Sequence, residues 1–192
     1  MVVQHYYQVF YDYINNIIVL PERDKKLIEK TFQPVFLKKG TILEAAGNIP
    51  LYHNFIVSGH LRNFHLNEDQ EEITTDLNNG PRFFTSYFHF MNQTVSNENL
   101  QCITDCELLR INRKDIEESA NESITQKKYT TILFEKLLEE ERQRSWDLVN
   151  LTAEQLYHKF ASNNPNIIKN VPLRYIASYI GITPRHLSRI RK

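Results

Sequence analysis

Cysteine is scarce in this sequence, and long apolar runs are absent. The chain contains only Cys102 and Cys106. Two cysteines do not make a disulfide framework, and their spacing matches no usual zinc or cluster site. We therefore expect both to be small buried residues on or near strands. No apolar run reaches the roughly 18 residues that a membrane-spanning helix needs, so no membrane span is expected.

Targeting and catalytic signatures are also missing. The N-terminus lacks the basic start and apolar stretch of a signal peptide, which favours a cytoplasmic protein. There is no Ser/His/Asp or Cys/His arrangement, phosphate loop or metal-ligand spacing. No histidine is marked as a haem ligand, and two cysteines fall short of the about four that an iron–sulfur cluster needs. The sequence predicts a protein that is not an enzyme and holds no metal or cofactor.

Acidic residues are absent from the C-terminal end, although the whole chain has no net charge. From residue 155 onward there are seven Lys or Arg and no Asp or Glu. The first 154 residues carry the other 16 basic and all 23 acidic residues, a net charge of −7. A basic end on an acidic body suggests a polyanionic partner for that end, although a solvated basic face is the common alternative.

The pattern of apolar residues divides the chain into three parts. Apolar residues at three- and four-residue steps predict an N-terminal helix, and Pro21 opens a second helix that reaches about Thr31. Over residues 34–111, short β-prone runs alternate with turn residues, which is typical of an antiparallel barrel or jelly roll. The remainder is helical, with a long helix predicted over about residues 123–149.

The most specific pattern lies in residues 173–192. Ala177 supplies the small residue that two crossing helices need, and Gly181 tolerates the positive φ of a tight turn. Thr183 and Pro184 form a cap and a first residue for the second helix. Apolar residues fill the core positions: Ile176, Ile180, Ile182, Leu187 and Ile190. This register predicts a helix-turn-helix, for which a plain αα-hairpin with a glycine turn is the alternative.

The outer face of the second helix favours DNA binding over a structural hairpin. Arg185 and Arg189 are one turn apart and share a face. Guanidinium groups suit the guanine edges and the phosphates of a major groove. The predicted DNA-binding residues are Thr183, Arg185, His186, Ser188, Arg189 and Lys192.

Three segments, residues 37–43, 55–62 and 173–192, resemble the Crp/Fnr family of bacterial transcription regulators. The second segment is similar to a strand, glycine turn and strand of the family's jelly roll, and the third to its helix-turn-helix. The resemblance implies an α+β fold with an antiparallel jelly roll flanked by helices. Its parts are a cyclic-nucleotide-binding-like effector domain at residues 1–122, a dimerisation helix at 123–150 and a helix-turn-helix DNA-binding domain at 151–192.

The resemblance also implies a homodimer that binds an inverted-repeat operator and regulates transcription. Its partners would be double-stranded DNA and a second copy of the chain, with RNA polymerase as a further candidate and an effector of unknown identity. The residues expected near the dimer axis are Tyr129, Ile132, Leu133 and Leu137. The alternative is a jelly-roll sensor whose C-terminal helical hairpin contacts another protein.

The chain departs from this family where ligand-binding members hold a cyclic nucleotide. Those members carry a Gly-Glu pair, whose Glu holds the ribose, and a later Arg that holds the cyclic phosphate. Phe84 and Thr85 fall at the first place, and Ser96 and Asn97 at the second. We therefore expect no specific binding of cyclic AMP or cyclic GMP.

The aromatic cluster around Phe83 has two interpretations. It either lines a pocket for an apolar effector or packs as core where a nucleotide would sit, and we favour packing because large aromatics usually serve cores. The residues assigned to an effector pocket are Phe83, Phe84, Thr85, Ser86, Tyr87, Ser96 and Asn97.

Overall fold

The computed structural model describes residues 2–191 as eight strands with helices before, between and after them. The elements in chain order are α1 (Val2–Asn15), α2 (Glu22–Thr31), β1 (Gln33–Leu37), β2 (Ile42–Glu44), β3 (Tyr52–Ser58), β4 (His60–Leu66), β5 (Glu72–Asn79), β6 (Arg82–Phe84), α3 (Tyr87–Asn92), β7 (Asn99–Cys102), β8 (Cys106–Asn112), α4 (Arg113–Glu122), α5 (Gln126–Asn150), α6 (Ala153–Asn163), α7 (Pro165–Asn170), α8 (Leu173–Ile180) and α9 (Pro184–Ile190). No helix within residues 2–191 is both long enough and apolar enough to cross a membrane.

The strands form two four-stranded antiparallel sheets that pack face to face as a jelly roll. The first sheet has the order β1-β8-β3-β6 and the second has the order β2-β7-β4-β5. Ile56 and Leu108 of the first sheet pack against Leu61 and Leu100 of the second, and all four are fully buried. The predicted antiparallel jelly roll is confirmed, and Cys102 and Cys106 are buried free thiols within it.

Gly59 joins β3 to β4 at a point where no side chain fits. Its φ is +103°, and a Cβ placed on it would lie 2.6 Å from the carbonyl oxygen of Asp105. Positive φ and close approach are the two conditions that glycine alone satisfies cheaply. This turn passes the chain from the first sheet to the second, so the strand, glycine turn and strand expected over residues 55–62 is present.

The outer face of the first sheet is covered by helices from both ends of the chain. Phe55 and Ile111 on this face pack against Phe10 and Ile14 of α1 and against Tyr129 of α5. Burial of large aromatic and aliphatic side chains contributes roughly 1.5–3 kcal/mol for each residue. The N-terminal helices and α5 therefore belong to the same core as the jelly roll.

Asp24 fixes the start of α5 against α2. Its buried carboxylate accepts hydrogen bonds from the backbone N–H groups of Ile124 and Thr125 and from the hydroxyls of Ser123 and Thr125. Burial would raise the pKa of Asp24, but the hydrogen bonds to its charged form prevail and the pKa is lowered.

The two faces of α5 differ in what they contact. Tyr129 is only 5% exposed and lies in the core described above, while Leu133 packs against that core from the same face. Leu137 is also half-buried, whereas Ile132 is exposed. Tyr129 is therefore already buried by its own chain, and a position near a dimer axis stays a prediction for all four residues.

Candidate nucleic-acid interface

The C-terminal helices α6 to α9 build a second small core. Ile176, Ala177 and Leu187 are fully buried where α8 crosses α9. Thr152 opens α6 with a capping box, since its side chain accepts from the N–H of Gln155 while the Gln155 side chain accepts from the N–H of Thr152. This core holds α9 at a fixed angle to α8 and leaves one face of α9 exposed.

The turn between α8 and α9 has the geometry that its sequence predicts. Gly181 adopts φ +82°, and its N–H donates to the carbonyl of Ser178 at 3.0 Å. Thr183 caps α9, because its side-chain oxygen accepts from the N–H of His186 at 3.2 Å. Pro184 occupies the first turn, where its missing N–H costs nothing.

The basic residues of α9 point into solvent. Arg185, His186, Ser188 and Arg189 are all exposed, as is Arg191 just after the helix. Among the residues that the structure describes, no ion pair within 4 Å involves Arg185, Arg189 or Arg191. Lys192, also predicted to bind DNA, lies outside the described residues. The exposed face of α9 therefore carries positive charge that no acidic side chain of the described chain offsets.

Helix α8 is docked on the second sheet, a contact that the sequence did not reveal. The N–H of Thr74 in β5 donates to Ser178 Oγ at 2.9 Å. The guanidinium of Arg62 in β4, whose side chain is 1% exposed, lies 4.0 Å from the ring centre of Phe64 and 3.8 Å from that of Tyr175 in α8. Strand β4 mixes apolar and polar residues, so no local pattern in its sequence predicts this contact.

Two of the three guanidinium nitrogens of Arg62 have acceptors within the second sheet, while its buried Nη1 has no hydrogen-bond partner among the described residues. Its Nη2 donates to Glu72 at 2.6 Å, and its Nε and Nη2 both donate to the side-chain oxygen of Gln101. A buried cation is tolerated when such partners are present. The contact between α8 and the second sheet therefore combines the stacking of Arg62 on Tyr175 with a charged hydrogen-bond network.

The residues assigned to an effector pocket lie in different places, and four of the seven line one cavity: Phe83, Phe84, Thr85 and Tyr87. Phe83 and Tyr87 are half-buried beneath α5, whereas Phe84 is buried in the core between the sheets. Ser96 is buried and its hydroxyl accepts from the N–H of Glu98, while Asn97 is exposed. Part of the aromatic cluster around Phe83 is therefore packed as core, and the rest of the cluster lines a cavity.

Glu44, which sequence reasoning missed, occupies the polar centre of this region. Its Oε1 accepts from the hydroxyl of Thr85 at 2.7 Å and from the side-chain amide of Asn54 at 3.1 Å. Its Oε2 accepts from the N–H of Ser86 at 3.2 Å. Burial raises the pKa of Glu44, and the hydrogen bonds from Thr85 and Ser86 partly oppose that rise. The chain's own carboxylate therefore engages Thr85 and Ser86.

Comparison with known protein families identifies the central part of the chain. Residues 34–123 match the cyclic nucleotide-binding domain family. The matched segment is just under half of the chain and ends before α5, so it corresponds to the jelly roll together with α3 and α4. A comparison with curated proteins found no match.

Solved structures extend the likeness to most of the chain. A Crp/Fnr-family regulator from Eubacterium rectale aligns with a TM-score of 0.66 and 18% identity over 92% of this chain and 83% of its own. FixK2 from Bradyrhizobium japonicum gives 0.64 and 16% over 83% and 82%, and the Thermus thermophilus catabolite activator protein gives 0.54 and 18% over 90% and 82%. The resemblance to Crp/Fnr regulators, a non-enzymatic class, is confirmed at the level of the fold.

Proposed function

We propose that this protein is a sequence-specific DNA-binding transcription regulator that acts as a homodimer on an inverted-repeat operator. The observation that carries the proposal is the exposed basic face of α9, which begins at a capped N-terminus and is held by a buried helix crossing. The fold shared with Crp/Fnr regulators supports the same function.

The geometry of α9 gives particular roles to its first two turns. In a helix-turn-helix, the N-terminal part of the second helix enters the major groove. Arg185 and Arg189 are exposed one turn apart, so both can reach base edges or adjacent phosphates. His186 and Ser188 are exposed beside them and are weaker contributors. A two-fold dimer would place two such helices about 34 Å apart, in successive major grooves.

Substitution of the two arginines is the direct test. An operator is first selected from random duplexes with the purified protein. Arg185→Ala and Arg189→Ala are then measured on that operator and on random duplex. Loss of a bidentate base contact costs about 1–3 kcal/mol and relaxes preference at one base pair, whereas loss of a phosphate contact lowers the salt slope by about 1.

Arg23→Ala is the matched control, because Arg23 is an exposed arginine on α2, far along the chain from α9. It should leave operator affinity unchanged. Wild-type affinity and preference in both α9 variants would contradict the assignment of this face. A wild-type protein without salt-dependent duplex affinity would instead favour a hairpin that contacts another protein.

A further inference from the structure

Helix α8 uses one face to hold α9 and another face to contact the rest of the chain. Ile176 and Ala177 are buried where α8 crosses α9. Tyr175, Ser178 and Tyr179 lie three and four positions apart, so they share a second face of the helix. All three contact groups that lie outside α6 to α9. This second face therefore connects the helix-turn-helix to the jelly roll and to α5.

The contacts on the sheet side depend on direction. The guanidinium of Arg62 lies 3.8 Å from the ring centre of Tyr175, and Ser178 Oγ accepts from the N–H of Thr74. Thr74 belongs to β5, the edge strand of the second sheet, so α8 covers an edge that has no further strand. A hydrogen bond weakens steeply as its angle changes, and a planar guanidinium stacks only on the face of a ring. These contacts therefore resist a rotation of α8 on the sheet.

Helix α5 holds the same domain from a second side. The guanidinium of Arg144 lies 3.7 Å from the ring centre of Tyr179, and its Nη2 lies 3.5 Å from the Tyr179 carbonyl oxygen in the last turn of α8. Cations are favourable at this end of a helix. Lys159 of α6 also pairs with Asp147 of α5 at 2.6 Å. The long helix is thus connected to both α6 and α8.

Apolar contacts between the jelly roll and the helical domain do not set an angle. Leu77 of β5 and Ile103 after β7 join the core of α6 to α9. Burial of apolar surface stabilises this association, but it has no preferred direction. The stacked arginines and the hydrogen bond to Ser178 therefore determine how the helix-turn-helix is turned relative to α5.

We propose that Tyr175 and Tyr179 are positioning residues for DNA binding. By stacking on Arg62 and Arg144 they fix the separation of the two α9 helices in the homodimer, and so they restrict the operator to one half-site spacing. This inference rests on the proposed function. It concerns the distance between half-sites, whereas Arg185 and Arg189 concern the bases within each half-site.

A series of duplexes tests the spacing. The selected operator is compared with operators that have one base pair added or removed between the half-sites. Each such change moves a half-site by roughly 3.4 Å and turns it by roughly 35°. The wild-type protein should lose at least about tenfold in affinity, because one recognition helix then misses its base contacts. Tyr175→Leu combined with Tyr179→Leu should reduce the loss to about threefold or less and keep the same half-site sequence.

Two further variants are controls for the lost stacking. Tyr175→Phe combined with Tyr179→Phe keeps both rings and should show the wild-type loss of affinity. Phe36→Leu removes a cation–π contact of the same kind from β1, where Lys38 lies 4.8 Å from the ring centre of Phe36. It should also behave as the wild type does. A reduced loss in either control would contradict the role given to the stacked tyrosines.

Hydrogen exchange tests the contact without DNA. The N–H of Thr74 is bonded to Ser178 and not to a neighbouring strand, so it exchanges when α8 leaves the edge of the sheet. In the double leucine variant this exchange should be faster by about fivefold or more, the value of a desolvated cation–π contact. The amide of Leu109, in a central strand of the first sheet, should keep its rate. An unchanged rate at Thr74 would overturn the positioning role.

Two results in the duplex series would overturn the spacing proposal: a wild-type protein that tolerates both changes, and a double leucine variant that loses as much affinity as the wild type. A wild-type protein that binds no duplex would refute the proposed function and the spacing proposal together. The exchange rate of Thr74 would then still decide whether the tyrosines hold α8. If the double leucine variant lacks a cooperative unfolding transition, Arg144→Met replaces it, because Arg144 lies outside the core of α6 to α9. A wild-type loss of affinity in that variant contradicts the proposal equally.

Discussion

Glu44 occupies the polar centre of the jelly roll and binds donors from two other segments of the chain. The Thr85 hydroxyl and the Ser86 N–H face a carboxylate of the same chain. A phosphate bound at this place would have to displace Glu44 from both donors. Phe84 and Thr85 stand where a Gly-Glu pair is expected, and Glu44 occupies the neighbouring donors. Both observations argue against the binding of a cyclic nucleotide.

From this residue we predict that the protein does not bind cyclic AMP or cyclic GMP specifically. Titration calorimetry with either nucleotide at millimolar concentration should give no saturable heat, because Glu44 already engages the Thr85 hydroxyl and the Ser86 N–H. A one-site isotherm of micromolar affinity would show that the nucleotide displaces Glu44 from its donors.

The sequence predicted residue roles well where the backbone sets them locally. Gly181 and Thr183 were identified from turn and cap chemistry, which depends on a few consecutive residues. Glu44 was missed because its partners Thr85 and Ser86 lie far along the chain. Glu44 and Thr85 are 41 positions apart in the sequence, and no local pattern predicts their contact.

At the scale of elements, the junction between α2 and α5 depends on Asp24. We predict that Asp24→Asn lowers the free energy of unfolding by roughly 2 kcal/mol at pH 7, because an amide offers fewer acceptors to the four surrounding donors. Urea unfolding measures the change. Asp12→Asn, at an exposed position on α1, should cost about 0.5 kcal/mol or less.

The pH dependence of this difference follows from the lowered pKa of Asp24. A group whose pKa is lowered on folding contributes its full stability above its unfolded pKa of about 4, and that contribution disappears as pH falls through the folded value. The difference in the free energy of unfolding between wild type and Asp24→Asn should therefore become smaller below about pH 4. A gap that stays constant down to pH 2 would contradict the assignment.

Most helices and strands have a strong local sequence pattern and were predicted from it. Elements with a weak pattern were missed. The alternating runs gave seven of the strands, and the long helix was placed within three residues of α5 at its start. Strand β6 has only three residues, and α3 and α7 have six each, which is too short for a periodic pattern to stand out. The same apolar stripe of α5 that suggested a dimer axis contacts the chain's own sheet, because periodicity reveals an apolar face but not its partner.

For the whole molecule, we predict a homodimer through the outer face of α5. Leu138 and Val149 are 69% and 85% exposed and lie on one side of that helix. Leu138→Glu and Val149→Glu should give monomers in light scattering without lowering the free energy of unfolding of each chain. Leu133→Glu should lower that free energy by roughly 2 kcal/mol, because a charge would enter the core. A wild-type protein that is monomeric at micromolar concentration would contradict the prediction.

Under the proposed DNA-binding function, the contact between α8 and the second sheet limits how a new sequence preference could arise in this chain. Ser178 meets Thr74, which lies 104 residues earlier, and Tyr175 covers Arg62. A helix-turn-helix transplanted from another regulator would bring a first helix that does not fit this sheet, and it would uncover the guanidinium of Arg62. New specificity therefore arises more readily by substitution on α9, whose exposed face lies outside this contact, than by exchange of the whole helical pair between lineages.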